Sequence, residues 1–297
     1  MTKRVDASAR LRDVAVMVLA WGLLQTPVGA HPRARLEVRD RAIARRCWLS
    51  PREELELGRE AYREVLAMAD VLPPEHRAVV RVRRVCSRII AATRIRPLLR
   101  EINLRADGDR FEWEFNVIDS GRINAFCLAA GKVAVFTGLL RFVRSDDELA
   151  TVLGHEMAHA LAHHANERLA LNPADAGALR AASGRLGNLD EPRRRSLIGL
   201  LDAGAALESL SYNRFQETEA DHIGVFLMTF AGYDPEAALA FWERMREVSS
   251  GSLRLPEILS DHPAAARRLA QLRVWVPLAE EGKRAYDHGQ IASEAAR

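Results

Sequence analysis

The chain has 297 residues, 48% of them apolar, 28% charged, and a formal net charge of +3. That is enough apolar content for one sizeable core, and it excludes a disordered or strongly polyanion-binding chain. Residues 1–30 hold four basic and two acidic side chains, so the remainder carries only +1 and gives no reason to expect nucleic acid as a partner.

In chain order, Lys3, Arg4, Arg10 and Arg12 precede an apolar run from Val14 to Leu24, and Pro27-Val28-Gly29-Ala30 follows. This pattern predicts a secretory signal peptide over 1–30, with a periplasmic or secreted location after cleavage; an uncleaved inner-membrane anchor is the alternative. Residues 31–49 read as a linker or N-terminal extension. Ser50-Pro51-Arg52-Glu53 has a cap residue and then proline at the first position, which predicts a helix to about Val71. A second helix is expected from Glu75 to Thr93. Its arginines at 77, 81, 83, 84 and 88 alternate with Val79, Val82, Val85 and Ile89, which reads as a solvated basic face, with peripheral membrane contact as the second reading. Strands are expected over 111–118, 123–128 and 132–137. Cys47, Cys86 and Cys127 are far apart in sequence, so they form no zinc-ribbon pattern, and their pairing is not set by spacing.

The densest signal follows. Ser145-Asp146-Asp147-Glu148 reads as a capping box, and the helical pattern it opens runs to about Leu171, before Asn172-Pro173. Mid-helix stands His155-Glu156-Met157-Ala158-His159, an H-E-x-x-H motif. Positions i and i+4 share a helix face, so His155 and His159 can bind one metal ion, with Glu156 beside it as a general base. A third ligand is expected from Glu217, because Glu217 and Asp221 repeat the i, i+4 spacing on a second helix. Asp221 would then accept a hydrogen bond from the far nitrogen of a ligand histidine. Glu219 is two residues from each and is read as solvated. His163 and His164 are read as helix neighbours, neither of them a ligand. Gly224 would permit close approach of another helix.

H-E-x-x-H followed by E-x-x-x-D resembles the gluzincins, and more narrowly the HtpX/BepA/Oma-like metalloendopeptidases, a family that includes the CAAX prenyl proteases. Further segments carry the likeness: Ile123 to Leu128, Gly131-Lys132-Val133, Thr137 to Leu140, Ser211 to Asp221, and Asp261-His262-Pro263 with Arg268. His164 matches a histidine common after the motif helix. Ala129-Ala130-Gly131 departs from the usual Pro-Gly-Gly, which puts the shape of that turn in question.

The resemblance covers about residues 50–275 and implies a predominantly helical α+β fold with a small sheet beside the motif helix. The zinc metallopeptidase domain would span 50–276, followed by a mobile tail over 277–297. It implies one Zn2+ per chain on His155, His159 and Glu217, and Glu156 as the catalytic base. Arg268 or His262 would be a second donor to the developing oxyanion, with His262 alternatively a metal ligand in a latent form. Asn124, Ala125, Phe126 and Gly131 would bind an extended substrate strand. The expected partners are unfolded or misfolded protein substrates in envelope quality control, cut by a soluble, periplasmic-type enzyme. A chaperone-like binder that does not cut is the alternative function. Nothing in the sequence sets the oligomeric state.

Overall fold

Ser50 accepts from the Glu53 amide while Glu53 accepts from the Ser50 amide, and this reciprocal cap starts α1 (Pro51–Ala67). In the computed structural model, residues 49–102, 104, 111–171, 214–251 and 266–290 are described. Residues 1–48, the stretch 174–192 and His262 lie outside them. The chain continues through α2 (Arg77–Ala92), α3 (Arg96–Glu101), β1 (Glu114–Ile118), β2 (Ala125–Leu128), β3 (Lys132–Phe136) and α4 (Thr137–Phe142). Then follow α5 (Asp146–Leu161), α6 (His164–Leu171), α7 (Arg214–Phe230), α8 (Glu236–Gly251) and α9 (Ala266–Asp287). The fold is the expected one, predominantly helical α+β with a small sheet.

The sheet has the order β1-β3-β2, with β1 parallel and β2 antiparallel to β3. Side chains alternate across its two faces, as the pleat requires. Ala125, Cys127, Val133 and Val135 enter the main core with α2, α5, α7, α8 and α9. Phe126, Leu128, Ala134 and Phe136 enter a second core with Leu57, Ala61 and Tyr62 of α1. The central strand β3 is therefore buried throughout.

Between β2 and β3, Ala130 adopts φ 67° and Gly131 φ 75°. Two left-handed residues in succession are what two glycines would serve, so Ala130 keeps the turn at a cost of about 1 kcal/mol. Gly131 lies under Trp113: a Cβ there would come within 2.8 Å of the indole.

Helix α5 is the hub. Ser145 accepts from the Asp147 and Glu148 amides, and every residue from Glu148 to Leu161 is buried. Its first turn is held by basic side chains from elsewhere. Arg81 donates to Asp146 at 2.7 Å and to the Ser145 carbonyl at 2.9 Å, and Arg84 pairs with Asp146. Arg88 lies over the Tyr233 ring and donates to the Gly232 carbonyl. The arginines of α2 are therefore partly structural, in contrast to the solvated face expected of them.

Two boundaries differ from expectation. The motif helix breaks at Ala162–His163, where His163 has φ 59°. At the other end, α9 continues through Pro277 to Asp287, with Val276 and Ala279 fully buried, so the expected end of the domain at 276 falls inside a packed helix.

Candidate metal centre and active site

Helix α5 presents His155 and His159 one turn apart, and α7 crosses it carrying Glu217. The three residues are 2–4% exposed. One ligand atom from each lies within 4.8 Å of the others. The individual separations are 3.1 Å between the two Nε2 atoms, 3.5 Å from His155 Nε2 to Glu217, and 3.4 Å from His159 Nε2 to Glu217. Donor atoms around a tetrahedral ion at about 2.1 Å stand about 3.4 Å apart, so two imidazoles and a carboxylate at these spacings fit a divalent metal and leave a position for solvent.

The far side of each ligand is also built. His155 Nδ1 lies 3.0 Å from Asp221 Oδ1, so the ring donates there and turns Nε2 inward as a lone pair. His159 Nδ1 lies 2.8 Å from His164 Nδ1, and His164 Nε2 lies 3.3 Å from Glu219. Arg268 of α9 donates to Asp221 through Nε at 2.7 Å and Nη2 at 2.6 Å, and its Nη1 is 3.0 Å from Glu217. Its guanidinium also sits 4.0 Å above the Trp242 ring.

Electrostatics follow from this wiring. Burial pushes the His159 pKa well below its ordinary value, more than Glu217 raises it, so the ring is neutral and able to bind a metal. For His155, burial and Arg268 push downward, but the bonds to Asp221 and Glu217 prevail and raise it. Burial would raise Asp221, yet Arg268 and His155 hold it below the usual carboxylate range. Burial lowers Arg268, but Asp221 and Glu217 more than compensate.

Glu156 is buried beside His155, close enough to Cys127 that, after burial itself, it is the next cause raising that thiol's pKa. Cys127 belongs to β2, which packs along α5 as the end strand of the sheet. Phe136 donates to the Asn124 carbonyl, so Asn124, Phe126 and Leu128 face β3, whereas the main-chain groups of Ala125 and Cys127 turn outward. The Asn124 side chain accepts from the Ala125 amide at 2.9 Å. Of the residues expected to touch substrate, Phe126 turns its ring to Tyr62 of α1 and Gly131 packs under Trp113. Of the four, Ala125 alone turns its main chain to the outward edge.

Neither His164 nor Glu219 is expected at the site from the spacing, yet both back it, with the Glu219 side chain still 33% exposed. The i+2 offset from Glu217 suggested another helix face, and the break at His163 that brings His164 round left no periodic signature.

The sequence profile of peptidase family M48 matches residues 91–276. The chain belongs to that family, and the enzyme class read from its motifs, a metalloendopeptidase, agrees with this membership. It is similar to the mitochondrial metalloendopeptidase OMA1 of Saccharomyces cerevisiae, at 32% identity over 254 residues, covering 79% of this chain and 67% of the relative. The corresponding protein of Schizosaccharomyces pombe is 34% identical, covering 76% of this chain and 62% of the relative. The beta-barrel assembly-enhancing protease of Escherichia coli is 30% identical over 57% of this chain and 35% of its own length. The chain thus spans about a third to two thirds of these relatives.

These relatives correct one expectation. The proteins matched over 75–79% of this chain are mitochondrial by name, which overturns the periplasmic or secreted location; the N-terminal apolar segment on which the anchored alternative rested lies outside the described residues. Among the described residues no helix is long and apolar enough to cross a membrane.

Proposed function

We propose that this chain is a zinc-dependent endopeptidase that cuts extended or unfolded protein segments in protein quality control. The observation that carries the reading is the convergence of His155, His159 and Glu217 within 4.8 Å, with Glu156 adjacent in sequence and buried beside them. Two nitrogen donors and one oxygen donor with an open position suit zinc in a hydrolytic site.

His155, His159 and Glu217 would hold zinc, which would supply Lewis acidity toward the scissile carbonyl and lower the pKa of the attacking water. Glu156 takes the proton from that water on a carboxylate oxygen and returns it to the departing amine. The outward main chain of Ala125 and Cys127 pairs with an extended substrate, antiparallel or parallel, as an added strand. Asn124 covers the Ala125 amide until a substrate carbonyl replaces its side chain. Arg268, its guanidinium committed to Asp221 and Glu217, holds the carboxylates and is not the oxyanion donor. His262 keeps that candidacy from the sequence alone.

The test is Glu156→Gln assayed for zinc content and for cleavage of unfolded casein. The variant keeps zinc at one ion per chain and loses about 100- to 10,000-fold in kcat. Cleavage at the wild-type rate removes Glu156 from the chemistry, and a wild type that holds no zinc overturns the reading as a whole.

A further inference from the structure

His164 and Glu219 have no part in the chemistry above, yet they reach the centre from behind. In an unbroken helix His164 would sit about 140° around the axis from His159, since five residues turn about 500°. The break prevents this. Helix α5 ends at Leu161, His163 takes a left-handed conformation at φ 59°, and α6 restarts at His164. The His164 ring thereby returns against His159, with centroids 4.9 Å apart and no exposure to solvent.

The turn is fastened on three sides. His163 Nδ1 is 3.1 Å from both carboxylate oxygens of Glu54 in α1. Asn166 donates to Glu54 at 3.0 Å. Gln216 of α7 donates to the His164 carbonyl at 3.3 Å. A strained residue tied down this way is held for what it positions.

Proton placement then leaves one arrangement. Two imidazole nitrogens 2.8 Å apart need one donor and one acceptor. With His159 Nε2 presenting its lone pair to a metal, His159 Nδ1 carries the hydrogen and His164 Nδ1 accepts it. A neutral His164 must then be protonated at Nε2, the atom facing Glu219 at 3.3 Å. Asp221 serves His155 directly, whereas His159 is served through an intervening ring.

We propose that His164, backed by Glu219, is a positioning residue that fixes the tautomer and orientation of His159 for metal binding. The inference rests on the reading of His155, His159 and Glu217 as the zinc site. Because a neutral imidazole is a weaker acceptor than a carboxylate, the two ligand histidines are inequivalent, with His159 the less basic.

The test uses the full chain stripped of metal, with zinc affinity measured by competition against a chromogenic chelator and thermal unfolding followed with and without zinc. His164→Phe keeps a ring but cannot accept a hydrogen bond. Its zinc affinity falls about 10- to 100-fold, while the metal-free protein melts near the wild type. His164→Asn, whose amide oxygen can stand where Nδ1 stood, recovers most of that affinity. A His164→Phe variant that binds zinc as tightly as the wild type overturns the inference, and so does a His164→Asn variant no better than His164→Phe. If His164→Phe does not fold, Glu219→Leu decides: weakened binding supports the relay and unchanged binding overturns it. A wild type that binds no zinc sinks the zinc site and this inference together, whereas a binding wild type matched by His164→Phe sinks this inference alone.

Discussion

Gly154 and Gly224 meet backbone to backbone where α5 crosses α7. A Cβ on Gly154 would stand 3.0 Å from the Gly224 carbonyl oxygen, and one on Gly224 would stand 2.9 Å from the His155 amide nitrogen. The crossing is this tight one residue from a proposed ligand, so it sets how far Glu217 reaches toward the two imidazoles. Gly224→Ala inserts a methyl group that only backbone movement can accommodate. We expect a loss of about 1–3 kcal/mol in urea unfolding and a weaker zinc site. Undiminished zinc affinity in a folded Gly224→Ala variant would show that this spacing is not what the centre needs.

Metal removal should register as lost stability. A ligand that binds only the folded chain stabilises it by about 2.7 kcal/mol when present at 100 times its Kd. Scanning calorimetry should therefore show a midpoint that rises with free zinc and falls on chelation. His155→Ala should abolish that dependence, because the remaining pair offers too few donors.

Arg268 separates the charge of the centre from its geometry. Its removal as Arg268→Ala leaves Asp221 and Glu217 buried without their cation, at a cost of about 3–5 kcal/mol in the metal-free protein. Zinc returns positive charge beside Glu217, so the deficit should shrink in zinc-loaded protein. Equal deficits with and without zinc would place the effect of Arg268 in packing against Trp242 instead.

Acid should act through Glu148. Arg244 grips this carboxylate at 2.7 and 2.6 Å, and the Arg144 amide donates to it at 2.7 Å. Burial opposes the charge, but these bonds prevail and hold the group below its ordinary pKa. The unfolded carboxyl titrates near about 4.3, so the stabilisation is complete above that value and disappears as pH falls through the lower folded one. Glu148→Gln should cost about 1.5–3 kcal/mol at neutral pH. Its urea midpoint should converge on the wild type's as pH falls through the lowered folded pKa. A gap that persists in acid would trace the loss to shape instead of charge.

What the sequence discloses about this site follows from how local each determinant is. His155, His159, Glu217 and Asp221 lie at i, i+4 offsets, and helix periodicity translates those offsets directly into shared faces. The strands at 125–128 and 132–136 were legible for the same reason, since their alternation matches two cores on opposite faces of a sheet. His164 was not, because its place depends on one left-handed residue whose conformation is enforced by Glu54, 109 positions away. Arg268 was read as facing substrate and instead backs the ligands, since which side of the centre α9 approaches is a matter of tertiary packing. The basic stripe of α2 misled in the opposite direction: its arginines find Asp146, Ser145 and Gly232 only once the helices are assembled.

Gln216, Glu217, Glu219 and Asp221 all ride on one 17-residue helix, Gln216 and Glu219 engaging His164, Glu217 engaging His159 and Asp221 engaging His155. Inserting or deleting a single residue in α7 just after Asp221 would rotate the four together by about 100° against the rest of the helix and disengage all of them at once. The ligand and its supports therefore stand or fall with the seating of one helix face.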